Sequence, residues 1–149
     1  MKFNSQICTT REQSERLLAL GLKKETADMT HHYLHSTDSY ELKDIEFSRI
    51  MHLQELVNKK PVLWKSGDDL YAKDIPAWSL HRLIEMMPLD VIPEGGFDNC
   101  FTLIKNYPKG YSVEYDGFSY YHKENIYDTL IEGIEHLIKE GYFNKEYLV

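Results

Sequence analysis

Three of the seven histidines lie within five residues, at His31, His32 and His35. On a helix His31 and His35 would share a face, as the two zinc ligands of a metalloprotease helix do. That mechanism also needs a glutamate between the histidines as general base, and His32 stands there instead. On a strand, the pair would share a face with Tyr33, without a carboxylate or a fourth ligand. We therefore predict no metal at these histidines and interpret them as surface or cross-strand packing residues. A small metal-dependent or small-molecule enzyme using this segment is the alternative.

The two cysteines, Cys8 and Cys100, fit no metal or redox spacing, and we interpret them as reduced thiols. A cysteine nucleophile needs a histidine beside it. His122 is the candidate for Cys100, but the predicted strand register places their side chains on opposite sheet faces. Gly95-Gly96 lacks the spacing of a phosphate-binding loop, and no nucleophile elbow is present. The sequence predicts no catalytic residue and no cofactor.

Acidic residues could form carboxylate pairs for acid–base catalysis, with Asp68, Asp69, Asp74 and the acids of the last helix as candidates. Such residues in a loop or on an exposed helix face are far more often solvating groups, and we interpret them so.

The formal net charge of −7 disfavours general DNA or RNA binding, which needs a basic surface. Aromatic sheets can stack bases, but they also need positive charge, so core packing is the favoured role of the tyrosines. The N-terminus has no signal-peptide pattern, and no run approaches the roughly 20 apolar residues of a membrane span. We expect a cytoplasmic protein that does not contact a membrane.

The first third contains a helix start, because Thr9 with Glu12, or Thr10 with Gln13, has capping-box spacing. Gly21 is placed to end that helix. A short helical turn over 24–29 and a strand over 30–37 should follow. Apolar residues over 42–57 predict a further helix, and 61–69 read as a loop.

The central segment predicts a helix capped by Ser79 and stopped by Pro88. Its buried stripe consists of Leu80, Leu83, Ile84 and Met87. Trp78 lies at the helix entry, outside that stripe. The favoured interpretation is that Trp78 fills the junction between this helix and the meander. The hypothesis to test is that Trp78 and Met86 stay partly exposed and anchor a partner or a second copy of the chain.

The last third predicts three antiparallel strands over 100–107, 111–115 and 118–123, with turns at 108–110 and Asp116-Gly117. The expected cross-strand pairs are Tyr107 with Tyr111, Tyr115 with Phe118, Val113 with Tyr120, and Tyr111 with His122. This register gives one aromatic face and one polar face. An apolar stripe over 125–140, ended by Gly141, predicts a helix that covers the aromatic face.

These elements predict an α+β fold: an antiparallel β-meander packed against a C-terminal helix, with additional helices in the N-terminal half. The length suits a single globular domain over 1–149.

Several short blocks resemble sequences of small uncharacterised proteins from gut Bacteroidetes and their phages or mobile elements. The blocks are Cys8-Thr9-Thr10 with Glu12-Gln13-Ser14, Leu17-Leu18-x-Leu20-Gly21, Glu25-Thr26-Ala27-Asp28-Met29, Asp74-Ile75-Pro76-Ala77-Trp78-Ser79-Leu80 and Met87-Pro88. The resemblance covers residues 8–29 and the central helix. It implies an accessory protein rather than a metabolic enzyme, and it brings no catalytic residue or cofactor. The resulting hypothesis is a non-catalytic interaction or regulatory module whose partner is an unknown protein or a second copy of the chain.

Overall fold

The computed structural model describes residues 6–34, 37–44, 73–92, 99–106, 108–115 and 119–149. Within these residues the chain forms three α-helices and two antiparallel sheets, one of three strands and one of four. The predicted α+β class and the helix-covered meander are confirmed.

Helix α1 spans Arg11–Ala19, and its start is the predicted capping box. The Thr10 hydroxyl accepts a hydrogen bond from the Gln13 backbone N–H, and the Gln13 side chain accepts one from the Thr10 N–H. These two bonds satisfy N–H groups that a helix start leaves without partners. Gly21 follows the helix with φ +92, the left-handed conformation that glycine adopts without a steric penalty.

The N-terminal sheet has the strand order β2-β1-β3. Its strands are β1 (Met29–Leu34), β2 (Ser39–Asp44) and β3 (Ile75–Ala77), and a short 3₁₀ turn at Lys24–Thr26 precedes β1. The helix predicted over 42–57 is wrong at its start, because Leu42 pairs with His31 in the β-hairpin. Residues 45–57, 61–69 and 93–96 lie outside the described residues.

Helix α2 spans Leu80–Met86, as the central pattern predicts. The Ser79 hydroxyl caps its start by accepting a hydrogen bond from the Arg82 N–H at 3.2 Å. Met87 is extended, with ψ 133, which is the conformation that the following Pro88 imposes.

The C-terminal sheet has the order β4-β5-β6-β7. Its strands are β4 (Asp90–Val91), β5 (Asn99–Lys105), β6 (Tyr111–Tyr115) and β7 (Ser119–Lys123). The first hairpin pairs Lys105 with Tyr111, two residues away from the predicted partner Tyr107, so the predicted faces of β5 and β6 are kept.

The predicted register of β7 is wrong by one residue. Tyr115 pairs with Ser119 and Val113 with Tyr121, so three residues rather than two join the strands. Because side chains alternate along a strand, this shift exchanges the two faces of β7. Tyr121 therefore lies on the face that carries Val113, the face predicted for Tyr120.

Helix α3 spans Ile126–Glu140 and covers the meander. Asn125 caps its start, and Gly141 ends it at φ +82. One hydrophobic core joins α1, α2, the meander and α3. Its fully buried members include Leu17, Leu22, Trp78, Leu83, Met86, Val113, Tyr115, Leu130, Ile131, Ile134 and Leu137.

Candidate functional site

His31 and His32 project from opposite faces of β1, because side chains alternate along a strand. The His31 Nε2 atom lies 2.9 Å from the carbonyl oxygen of Thr9, which precedes α1. The His32 Nδ1 atom lies 3.0 Å from each carboxylate oxygen of Asp74. The two rings thus point to different neighbours. His35 lies outside the described residues.

The sequence predicted no acidic side chain near these histidines and indicated a solvating role for Asp74. Both predictions are wrong, because Asp74 contacts His32. Besides contacting His32, its Oδ1 atom accepts a hydrogen bond from the Tyr33 backbone N–H at 2.9 Å. Strand β3 begins at Ile75, the partner of His31, so it starts two residues too late to pair with Tyr33. The carboxylate therefore supplies the acceptor that a longer strand would have supplied.

A second carboxylate, Asp28, binds Ser79 at the start of α2. It accepts hydrogen bonds from the backbone N–H of Ser79, at 2.8 Å, and from the Ser79 hydroxyl. The same hydroxyl accepts from Arg82 N–H, so one serine joins the end of the 3₁₀ turn segment to the helix start. This arrangement orients α2 against the N-terminal sheet.

Trp78 and Met86 are 0% and 1% exposed, so the expectation that they stay partly exposed is wrong. The Trp78 indole N–H donates to the Thr26 hydroxyl at 3.0 Å, and its backbone N–H donates to the Thr9 hydroxyl at 3.0 Å. Trp78 thus fills a junction, but its hydrogen bonds place that junction at α1, the 3₁₀ turn and β3, whereas the favoured interpretation had placed it between α2 and the meander. The helix stripe alone could not show this, because the partners lie 52 and 69 residues away in sequence.

The Cys8 thiol is buried, and its Sγ atom lies 3.3 Å from the Thr9 carbonyl oxygen. Burial, and then the nearby Asp28 carboxylate, raises the pKa of Cys8 from 9.0 to about 11. Because the thiolate is the nucleophilic form, Cys8 is chemically inert near neutral pH.

The Cys100 thiol is exposed, and the shifted register changes its relation to His122. Ile104 pairs with Ser112, and Ser112 pairs with His122, so Cys100 and His122 lie on the same face rather than on opposite faces. They are nevertheless two strands and four residues apart, which is about 16 Å at normal sheet spacing. This distance excludes a direct thiol–imidazole contact.

Sequence reasoning missed a pair of tyrosines flanked by cations on the N-terminal sheet. Tyr33 and Tyr40 are cross-strand partners, with ring centroids 5.2 Å apart in an edge-to-face arrangement. The Arg11 guanidinium lies 4.4 Å from the Tyr40 ring centroid, and the Lys73 ammonium lies 4.1 Å from that of Tyr33. A hydrogen bond with the Tyr33 hydroxyl is the main cause that raises the pKa of Lys73. Recognising the β1–β2 hairpin in the sequence would have placed these tyrosines opposite each other. The predicted helix over 42–57 prevented this, because it included the end of β2.

The predicted aromatic face of β5 and β6 lies beneath α3, and β7 adds Tyr121 to it rather than the predicted Tyr120. Val113 and Tyr115 are fully buried there, and the Tyr115 hydroxyl donates to the Pro88 carbonyl at 2.9 Å. These side chains form the core of the protein, so they are not available to stack nucleic-acid bases.

Carboxylates on α3 contact residues of other elements. Asp128 accepts from the Gln13 amide at 2.6 Å, Glu135 pairs with Arg16, and Glu132 lies 3.0 Å from Lys123 Nζ. They join α3 to α1 and to β7.

In the part of the chain that the structure describes, no cluster of three or more histidine, cysteine or acidic side chains is arranged to hold a metal ion. Among the same residues, no helix combines the length and the apolar character needed to cross a membrane.

The elements and contacts above define an α+β protein in which α1, α2, the meander and α3 share one hydrophobic core, and a three-stranded sheet contacts α1 through β3. No protein-family model, curated protein or solved structure matches the chain.

Proposed function

We propose that this chain is a non-catalytic protein-interaction or regulatory accessory module that acts in the cytoplasm, in a phage or other mobile-element context. The observation that supports this role is that several acidic, histidine and cysteine side chains described above contact the protein's own backbone or are buried. Asp28 and Asp74 accept hydrogen bonds from backbone N–H groups of neighbouring elements, and His31 contacts a backbone carbonyl. Cys8 is buried with a raised pKa. These groups position strands and helices of the chain itself.

The first test separates this role from the metal-dependent alternative. The chain is purified without an affinity tag, and its zinc, nickel and iron contents are measured. We expect substoichiometric metal in the wild type and no change in the His31→Ala/His35→Ala variant. Stoichiometric metal that this variant loses would overturn the proposal.

The second test concerns the interaction itself. The chain is cross-linked in its native host cell, and each captured protein is then tagged and used to recover the chain in return. We expect one macromolecular partner, or the chain itself, to be recovered in both directions at fixed stoichiometry. Turnover of a small-molecule substrate that the conservative His32→Asn variant abolishes would instead establish an enzyme.

A further inference from the structure

Strand β7 is the outer strand of the meander, and among the described residues no strand pairs with its free edge. The hydrogen-bond pattern shows which of its backbone groups face outwards. The Asn106 N–H donates to the Gly110 carbonyl, so Lys105 and Tyr111 form a pair without mutual hydrogen bonds. Pairs alternate along an antiparallel ladder, and a strand directs alternate residues to its two neighbours. Tyr111, Val113 and Tyr115 therefore bond to β7.

Their partners on β7 are Lys123, Tyr121 and Ser119, whose N–H and C=O groups face β6. The remaining two residues, Tyr120 and His122, direct their N–H and C=O groups to the free edge. These two residues are placed symmetrically about Tyr121. A second β7 that runs antiparallel, with a twofold axis at Tyr121, would pair Tyr120 with His122 of the other copy. All four donors and four acceptors of the two edges would then be satisfied.

The position of α3 over the sheet is also compatible with a twofold axis at Tyr121. A Cβ atom on Gly133 would lie 3.7 Å from both Tyr121 and Val113, so α3 crosses above the boundary between β6 and β7. With strands about 4.8 Å apart, a twofold axis outside β7 would place the two α3 helices about 10 Å apart. Packed helices lie about 8–10 Å apart, so the two copies would meet in the helix layer as well as in the sheet.

Strand β7 also differs in charge from β2, an outer strand of the N-terminal sheet. Strand β2 carries Glu41 and Lys43, and charged side chains of this kind discourage strand addition at an edge. Strand β7 has one charged residue, Lys123, at its end, and its ammonium is already paired with Glu132. In the twofold register Lys123 pairs with Ser119 of the other copy. Like charges therefore do not meet along the seam, the line of contact between the two β7 strands.

We propose that a second copy of this chain pairs with β7 across this twofold axis and forms a continuous eight-stranded sheet. This inference rests on the proposed interaction role and names its surface and its partner.

The test compares the wild type with two variants at one position. His122→Pro removes an outward N–H from each edge, two of the four seam hydrogen bonds, while His122→Ala keeps the N–H and serves as the matched control. Sedimentation equilibrium should show a dimer for the wild type and for His122→Ala. The dissociation constant of His122→Pro should rise about tenfold or more.

Amide hydrogen exchange gives a readout that does not depend on the folding of the proline variant. In the wild type, the Tyr120 and His122 amides should become protected as protein concentration rises, while the Tyr121 amide is protected at all concentrations. A monomer at every concentration, with fast exchange at Tyr120 and His122, would overturn the inference. A dimer that His122→Pro leaves unchanged would also overturn this seam, but it would leave the proposed interaction function intact.

Discussion

The N-terminal sheet and the helix-covered meander are stabilised by different kinds of contact. At the strand ends of the N-terminal sheet, polar side chains bond to backbone groups: Asp74 to Tyr33, Asp28 to Ser79 and Thr9 to Trp78. In the meander, apolar side chains of α3 such as Ile134 and Leu137 are fully buried in the shared core.

This difference has an energetic consequence. A hydrogen bond contributes about 1 kcal/mol net, but losing one partner of a buried pair costs more because the other group stays unsatisfied. Burial of a large aliphatic side chain contributes about 1.5–3 kcal/mol and is insensitive to orientation. The meander should therefore depend on volume and apolarity, and the N-terminal sheet on the identity of single polar atoms.

The largest expected effect is that of Ile134→Asp in α3. Because Ile134 is fully buried, the variant would place an unpaired carboxylate in the core, and its free energy of unfolding should fall by about 4 kcal/mol. Ile134→Val keeps the site apolar and should cost about 1 kcal/mol. Urea denaturation of both variants measures the difference. Equal costs would show that α3 does not depend on apolar burial at this position.

The second largest effect is expected at Asp28, which precedes β1 of the N-terminal sheet and binds Ser79. Asp28→Ala leaves the Ser79 N–H and hydroxyl without their acceptor, and we expect a loss of about 2–3 kcal/mol in the free energy of unfolding. Asp90→Ala, at an exposed position, should change stability by less than about 0.5 kcal/mol. Chemical denaturation of both variants at pH 7 compares them. If the two variants were equally stable, the carboxylate–serine contact would not hold α2.

Alkaline pH should affect the two regions through different groups. The pKa of Cys8 is raised from 9.0 to about 11 in the folded protein, so the folded state keeps a proton that the unfolded state loses. The stability that Cys8 contributes is therefore complete below pH 9 and is lost as the pH rises towards 11. Burial also raises the pKa of Tyr115 in the meander and of Tyr127 in α3, the latter to about 12.

Comparison with Cys8→Ala isolates the thiol, because both proteins retain the tyrosines. Between pH 8 and pH 10, the wild type should lose about 1.4 kcal/mol more stability than the variant. Urea denaturation at the two pH values measures this. Parallel loss in both proteins would mean that Cys8 titrates normally.

The smallest expected effect is the loss of stability when Gly21 or Gly141 is replaced by alanine, and it should be equal at the two positions. Gly21 and Gly141 both have positive φ, +92 and +82, and a Cβ atom at either would meet nothing within 4 Å. Substitution by alanine should therefore cost only backbone strain, about 1 kcal/mol at each position. Asparagine tolerates this conformation better and should recover part of the loss. Thermal unfolding of the four variants tests this, and unequal alanine costs would indicate contacts specific to one region.

The sequence predicted those features that neighbouring residues decide. The Thr10–Gln13 capping box, the Ser79 cap, the extended residue before Pro88 and the stop at Gly141 all depend on hydrogen bonds or sterics within about four residues. The apolar stripe of α3 is also local, because its period of 3.6 residues is repeated over four turns. A pattern of this kind specifies a helix and its buried face without reference to the rest of the chain.

The candidate site was less predictable, because its contacts join distant segments. His32 and Asp74 are 42 residues apart, and Asp28 and Ser79 are 51 apart. No spacing rule connects such residues, since only the pairing of β1 with β3 brings them together. The same holds for Trp78, whose large side chain could be an exposed anchor or a buried plug until its hydrogen-bond partners are known.

By itself the sequence therefore determined the α+β class, the helix ends and the covered faces of β5 and β6. Only the tertiary structure decided the register of β7, the strand at Leu42 and the burial of Trp78. The physical reason is the range of the interactions: capping and helix periodicity act within a few residues of the chain. Strand pairing and side-chain burial depend on segments that meet only in the folded molecule, and a one-residue change in pairing reverses every side chain of a strand.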